Sequence, residues 1–76
     1  MNTATTDSVK DELLENNSVF RDLARQHQNF EKRLSEIAEL TYPNDDELLE
    51  EATLKKKKLQ IKDEMYSMME EFSNLH

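Results

Sequence analysis

The sequence has no cysteine, no glycine and a single proline, Pro43. Without cysteine there is no disulfide framework and no thiolate to hold a metal or act as a nucleophile. That fits a reducing compartment. Without glycine no residue takes up positive φ free of steric cost, so tight turns between strands are disfavoured. Every glycine-rich phosphate cradle is missing too. No apolar run approaches the ~20 residues that a membrane-crossing helix needs. Residues 1–7 (Met-Asn-Thr-Ala-Thr-Thr-Asp) hold neither the basic nor the apolar part of a secretory leader. A cytoplasmic protein of bacterial type is the expectation.

What remains is rich in Glu, Lys, Leu, Met and Gln, all good helix formers. Hydrophobic and charged residues each make up 36%, a balance that folds only if the apolar residues are placed periodically. They are. Phe20, Leu23, His27, Phe30, Leu34, Ile37 and Thr41 step alternately by three and four, which is one seam of a helix lying along another helix. After Pro43 a second seam follows: Leu54, Lys58, Ile61, Met65, Met68, Phe72 and Leu75. The predicted fold is all-α, an antiparallel two-helix hairpin, coiled-coil-like, with a short N-terminal helix.

The expected boundaries are a flexible residues 1–7 and one domain over 8–76. Within it lie a short helix at about 8–16, a long helix at about 19–40, a turn at 41–45 and a second long helix at about 46–72. Asp7 or Ser8 caps the short helix, whose buried side is Val9 and Leu13. Asn16, Asn17 and Ser18 are poor helix formers and good caps, so a break is placed there with Ser18 as the cap. One continuous helix is the alternative, because Val9, Leu13 and Asn16 stay in phase with Phe20. Pro43 pushes Tyr42 out of the helical region and cannot itself continue the helix. Asn44 or Asp45 caps the second, and Glu47 stands three residues after Asn44 as in a capping box. Folding at Pro43–Asn44 sets Leu34 opposite Leu54, Phe30 opposite Lys58, His27 opposite Ile61, Leu23 opposite Met65, Phe20 opposite Met68 and Leu13 opposite Leu75. A second apolar line on the last helix, Leu48, Ala52, Leu59, Met69 and Tyr66, exceeds what one partner helix covers. It calls for the short helix, a second copy or another protein.

Candidate chemistry is sparse. His27 is the one histidine inside an element; no second histidine stands three or four residues away, and Ala24 occupies the place of the glutamate in a Glu-x-x-His metal motif. Packing is the plainer reading of His27, with a partner contact second. Adjacent acids such as Glu50–Glu51 and Glu70–Glu71 point to different faces and form no acid–base pair. The serines have no histidine–acid arrangement. No enzyme, cofactor or metal site is expected. Lys55, Lys56, Lys57, Lys58 and Lys62 crowd about two helical turns. They read as a solvated surface, or as a patch for an acidic partner. Nucleic acid is a weaker reading, because no aromatic interleaves them and the chain's net charge is −7. Met65, Met68, Met69 and Phe72 make a soft apolar cluster suited to a core or to adaptable binding.

Phe20-x-x-Leu23-x-x-x-His27-x-x-Phe30, and after the turn Leu54-Lys55-Lys56-Lys57-Lys58-Leu59-Gln60-Ile61-Lys62-Asp63-Glu64-Met65, resemble the YdcH-like family of small bacterial proteins over roughly residues 9–72. The second motif is the more specific. The resemblance implies a short helix before a long antiparallel hairpin and no established activity. The family commonly has proline where Ser18 stands, and a more polar or glycine-containing turn than Tyr42-Pro43.

A small non-enzymatic interaction or adaptor module is the leading expectation. Its candidate partner-binding residues are Lys55, Lys56, Lys57, Lys58, Lys62, Met65, Met69 and His27. The alternatives are a nucleic-acid-associated protein using the Lys55–Lys62 stretch and a purely structural homo-oligomer. A core from 76 residues is marginal alone, so a protein partner or self-association is expected, and no membrane.

Overall fold

The computed structural model describes residues 3–75 and contains three helices and no strand among them: α1 (Thr3–Asn16), α2 (Ser18–Ala38) and α3 (Asp45–Leu75). α2 packs mainly against α3, and α1 touches both. The molecule is a rod of 48 × 23 × 17 Å. At ~1.5 Å per residue, the 31 residues of α3 account for almost all of that length. α2, with 21 residues, is about two thirds as long, so it cannot cover α3 to its end.

Both seams face inward. Phe20 and Ile37 are fully buried, and Leu23, His27, Phe30 and Leu34 between them are half-buried. On α3, Ile61 is buried, and Leu54, Lys58, Met65, Met68 and Phe72 are half-buried at the same alternating spacing. Lys58 keeps its place on the seam as a long-stemmed side chain that shields apolar neighbours and still reaches water. α1 adds Leu13, which is buried, and Val9, which is half-buried. The expected contact of Leu13 with Leu75 lies outside the described side chains.

The chain breaks between α1 and α2 at one residue, Asn17. Its backbone is extended (φ −126°, ψ 110°), and its side-chain oxygen accepts from the Phe20 N–H at 3.0 Å. Asn17 is therefore the cap, and Ser18, the expected cap, is the first helical residue. Asn17 also closes the helix before it, since its N–H donates to the Leu13 carbonyl at 2.9 Å. The last carbonyls of α1 would otherwise lack partners. Arg21 donates to those of Leu14 and Glu15 (3.1 and 3.3 Å), and one turn back the Asn16 side-chain amide donates to the Glu12 carbonyl within the helix (3.0 Å). One extended residue thus folds α1 back beside α2. α1 starts at Thr3, so Asp7 and Ser8 lie inside it rather than capping it. Residues 1 and 2 of the segment expected to be flexible lie outside the described ones.

α2 stops at Ala38, short of the expected Leu40. The Glu39 N–H is shared between the carbonyls of Ser35 and Glu36 (3.2 Å each), and Leu40 donates to Ile37 at 3.1 Å. That tightening from four-residue to three-residue bonds winds the helix off. Thr41, placed on the seam by its spacing, is accordingly exposed in the connection. The next helix opens on a reciprocal capping box: Glu47 N–H to Asn44 Oδ1 at 2.7 Å, and Asn44 N–H to Glu47 Oε1 at 2.8 Å. Asp45, Asp46 and Glu47 fill its first turn, where the dipole favours negative charge.

Two substitutions test this account. Ser18→Pro should be neutral or stabilising by up to ~1 kcal/mol, because proline suits the first helical position and the extended residue before it. Loss of stability in urea denaturation would mean that α1 and α2 run on as one helix in solution. Phe20→Ala should cost ~3–5 kcal/mol, enough to abolish a cooperative thermal transition in so small a core.

Candidate interaction surface

The outer face of α3 carries what the seam leaves uncovered. Leu48, Leu59 and Tyr66 are 48%, 59% and 55% exposed, and Ala52 is exposed with them. With Lys55 and Lys62 between them these residues step 4, 3, 4, 3, 4 along the helix. At about 3.6 residues per turn they form a stripe roughly 130° round from the seam. The second apolar line read from the sequence is therefore real and unpartnered in the single chain, except for Met69, which is half-buried.

The lysines do not form one patch. Lys55, Lys56, Lys57 and Lys62 are exposed and Lys58 is half-buried on the seam side. Four consecutive residues on a helix point in four directions. Lys62 lies over the Tyr66 ring, 5.8 Å from its centroid, a cation–π contact within the stripe. None of the five makes an ion pair among the described residues. Elsewhere ions do pair: Arg25 with Asp22 at 3.0 Å, and Arg33 with Glu36 at 3.3 Å.

His27 and Met65 sit in a different place. With Lys10, Leu14, Ala24, Gln28 and Glu31 they line an open groove of about 440 Å³ between α1 and the other helices. His27 Nδ1 is 3.5 Å from a Glu31 carboxylate oxygen, an ion pair only when the ring is protonated. Met68 and Phe72 line a smaller groove of about 200 Å³ with Leu13, Asn17 and Glu71. So the methionine cluster mostly fills the angle where α1 joins α3, while Lys55 and Lys62 lie on the outer stripe. Sequence spacing grouped them; the helix separates them. Among the described residues no three His, Asp or Glu side chains converge as a metal site would need.

The residues that sequence reasoning missed are Arg33 and Glu50. Arg33 forks onto the Glu50 carboxylate with two short bonds, Nε–Oε2 at 2.8 Å and Nη2–Oε1 at 2.9 Å. It joins α2 to α3. Glu50 lies about a turn nearer the connection than Leu54, the residue expected opposite Leu34, while Arg33 lies one residue farther from it. Hydrogen bonding to Arg33 holds the Glu50 carboxyl below its ordinary range. The same bonds, first to Glu50 and then to Glu36, raise the Arg33 guanidinium above its ordinary value.

Residues 20–69 match the family model described as "Protein of unknown function (DUF465)". The chain belongs to this family, the YdcH-like proteins that its motifs resemble. The match runs from the first seam residue of α2 to Met69 near the end of α3, and leaves out α1. No curated protein and no solved structure matches. Among the described residues no helix is long and apolar enough to cross a membrane.

The Arg33–Glu50 pair sets a pH dependence. A carboxyl held low in the folded state stabilises it above the unfolded value of ~4.3 and loses that effect as pH falls through the folded value. Arg33, raised from an already high value, stays charged throughout. Glu50→Gln should therefore lower the thermal midpoint at pH 7, and its gap from the native chain should close as pH is taken well below 4. An equal gap at both pH values would show that the pair contributes nothing.

Proposed function

We propose that this chain is a non-enzymatic protein-interaction module: an antiparallel hairpin of α2 and α3, braced by α1, whose outward α3 stripe receives another protein. The single observation that carries the reading is the stripe itself. A helix with one buried face is complete in a hairpin; α3 carries a second apolar line, 4-3 spaced, with three large side chains about half exposed or more. Single exposed apolar residues are ordinary, but an aligned series rimmed by polar groups marks an interaction face. The antiparallel course is supported by the six-residue connection at 39–44, which keeps neighbouring helices side by side, and by the Arg33–Glu50 fork across them.

Charge favours protein over nucleic acid as the occupant. The lysines ring the helix rather than line one face, so few could meet one phosphate backbone together. Acids dominate the rest of the chain. A reducing, cytoplasmic setting agrees with the absence of cysteine.

A photo-crosslinking side chain at position 59 should gather protein adducts in the native cell, and one at position 32, on the outer face of α2, should not. Equal adducts at the two positions, or none at 59, would overturn the reading.

A further inference from the structure

The stripe has a register of its own. Read from Asp45 to Lys62 it runs Asp45, Leu48, Ala52, Lys55, Leu59, Lys62, with Glu51 and Lys58 on one flank. The acids stand at one end and the lysines at the other. We propose that the occupant of this stripe is a second copy of the chain, its α3 antiparallel and centred between residues 53 and 54. The proposal rests on the interaction reading above and names the partner.

In that register Leu48 meets Leu59 of the second copy, and Leu59 meets its Leu48. Glu51 stands against Lys58 of the second copy and Asp45 against its Lys62, each pair occurring twice by symmetry. Lys55 lies opposite Ala52, whose small side chain leaves room for the lysine stem. Tyr66 extends past the start of the partner helix, beside the connection where Tyr42 is 91% exposed. The other ways of laying the stripe on itself fail. Parallel pairing in register stacks Lys55–Lys58 on the same lysines. Antiparallel pairing one heptad over sets Lys56 and Lys58 against themselves, and like charges in contact oppose association. The inferred register sets Lys58 and Lys62 against acids and Lys55 against a small neutral side chain, in a helix where none of the lysines is ion-paired among the described residues. Of the residues used in this register only Lys58 also belongs to the seam, where it is half-buried. The α3 residues that border α1 across the two grooves, Met65, Met68, Glu71 and Phe72, lie off the stripe, and α2 occupies the seam roughly 130° away.

Sedimentation equilibrium of the full chain at ~100 μM, a concentration suited to a small interface, should give twice the 9.0 kDa chain mass. Lys58→Glu should raise the dissociation constant ~10-fold or more by turning two attractions into repulsions, with helicity kept by circular dichroism. Adding Glu51→Lys to it should restore the dimer. Because the chain has no cysteine, Leu48→Cys and Leu59→Cys variants can be mixed and oxidised. The mixed disulfide should dominate, since like positions lie ~16 Å apart along the helix in this register. A monomer at ~100 μM, a failure of the charge swap to restore association, or a predominance of like-with-like disulfides each overturns the proposal. A monomer whose position 59 still gathers adducts from other proteins would sink the second copy and leave the interaction reading standing. Loss of both would sink both.

Discussion

The seam between α2 and α3 is the constraint on which the rest depends. Each helix has one face that water must leave, and only the other helix, with help from α1, is there to cover it. Among the described residues four are buried: Leu13, Phe20, Ile37 and Ile61. One comes from α1, two from α2 and one from α3, so no helix has a core of its own. The burial of Phe20 and Ile37 near opposite ends of α2 keeps the two long helices in contact along its whole length. α1 exists in the same logic. α2 is shorter than α3 by ten residues' worth of rise, and the grooves lined by Leu13, Leu14, Met65, Met68 and Phe72 lie where α1 takes over the covering.

Local order was read from the sequence where the signal was local. The 4-3 stepping of Phe20 to Ile37 and of Leu54 to Phe72 survives intact because a helix period is a property of the chain alone. The Asn44–Glu47 box is equally local and forms as expected. Asn17 and Ser18 could not be told apart as caps. Both are good at it and they are neighbours, and the choice falls to which residue has the extended backbone when Phe20 is buried. The early end of α2 was hidden for a similar reason. No glycine marks a stop, and the gradual change of bonding at Glu39 and Leu40 has no sequence signature. Arg33–Glu50 was invisible because it depends on how two helices lie against each other. The site suffered most from this limit: spacing showed a lysine cluster, but a helix spreads consecutive residues round its axis, and only coordinates separate Lys55 and Lys62 from Lys58, and all of them from His27 and Met65.

The placement of charge gives the outer stripe its meaning. Half of the chain's ten cations fall within residues 55–62, a stretch with no acid in it. Over most of its surface the molecule is acidic, and two such surfaces repel at contact. At an ionic strength where charges are screened beyond ~8 Å, the net charge matters less than what stands within a side chain's reach. Association is therefore least opposed where cations gather, and strongest where they can be met by acids at matching spacing. α3 supplies both halves of that arrangement on one helix, with acids in its first two turns for the dipole and the caps, and lysines in its middle. The acids that start the helix are thus the same groups that a reversed copy would present to its lysines, so in the proposed pairing one charge gradient would serve helix initiation and recognition together.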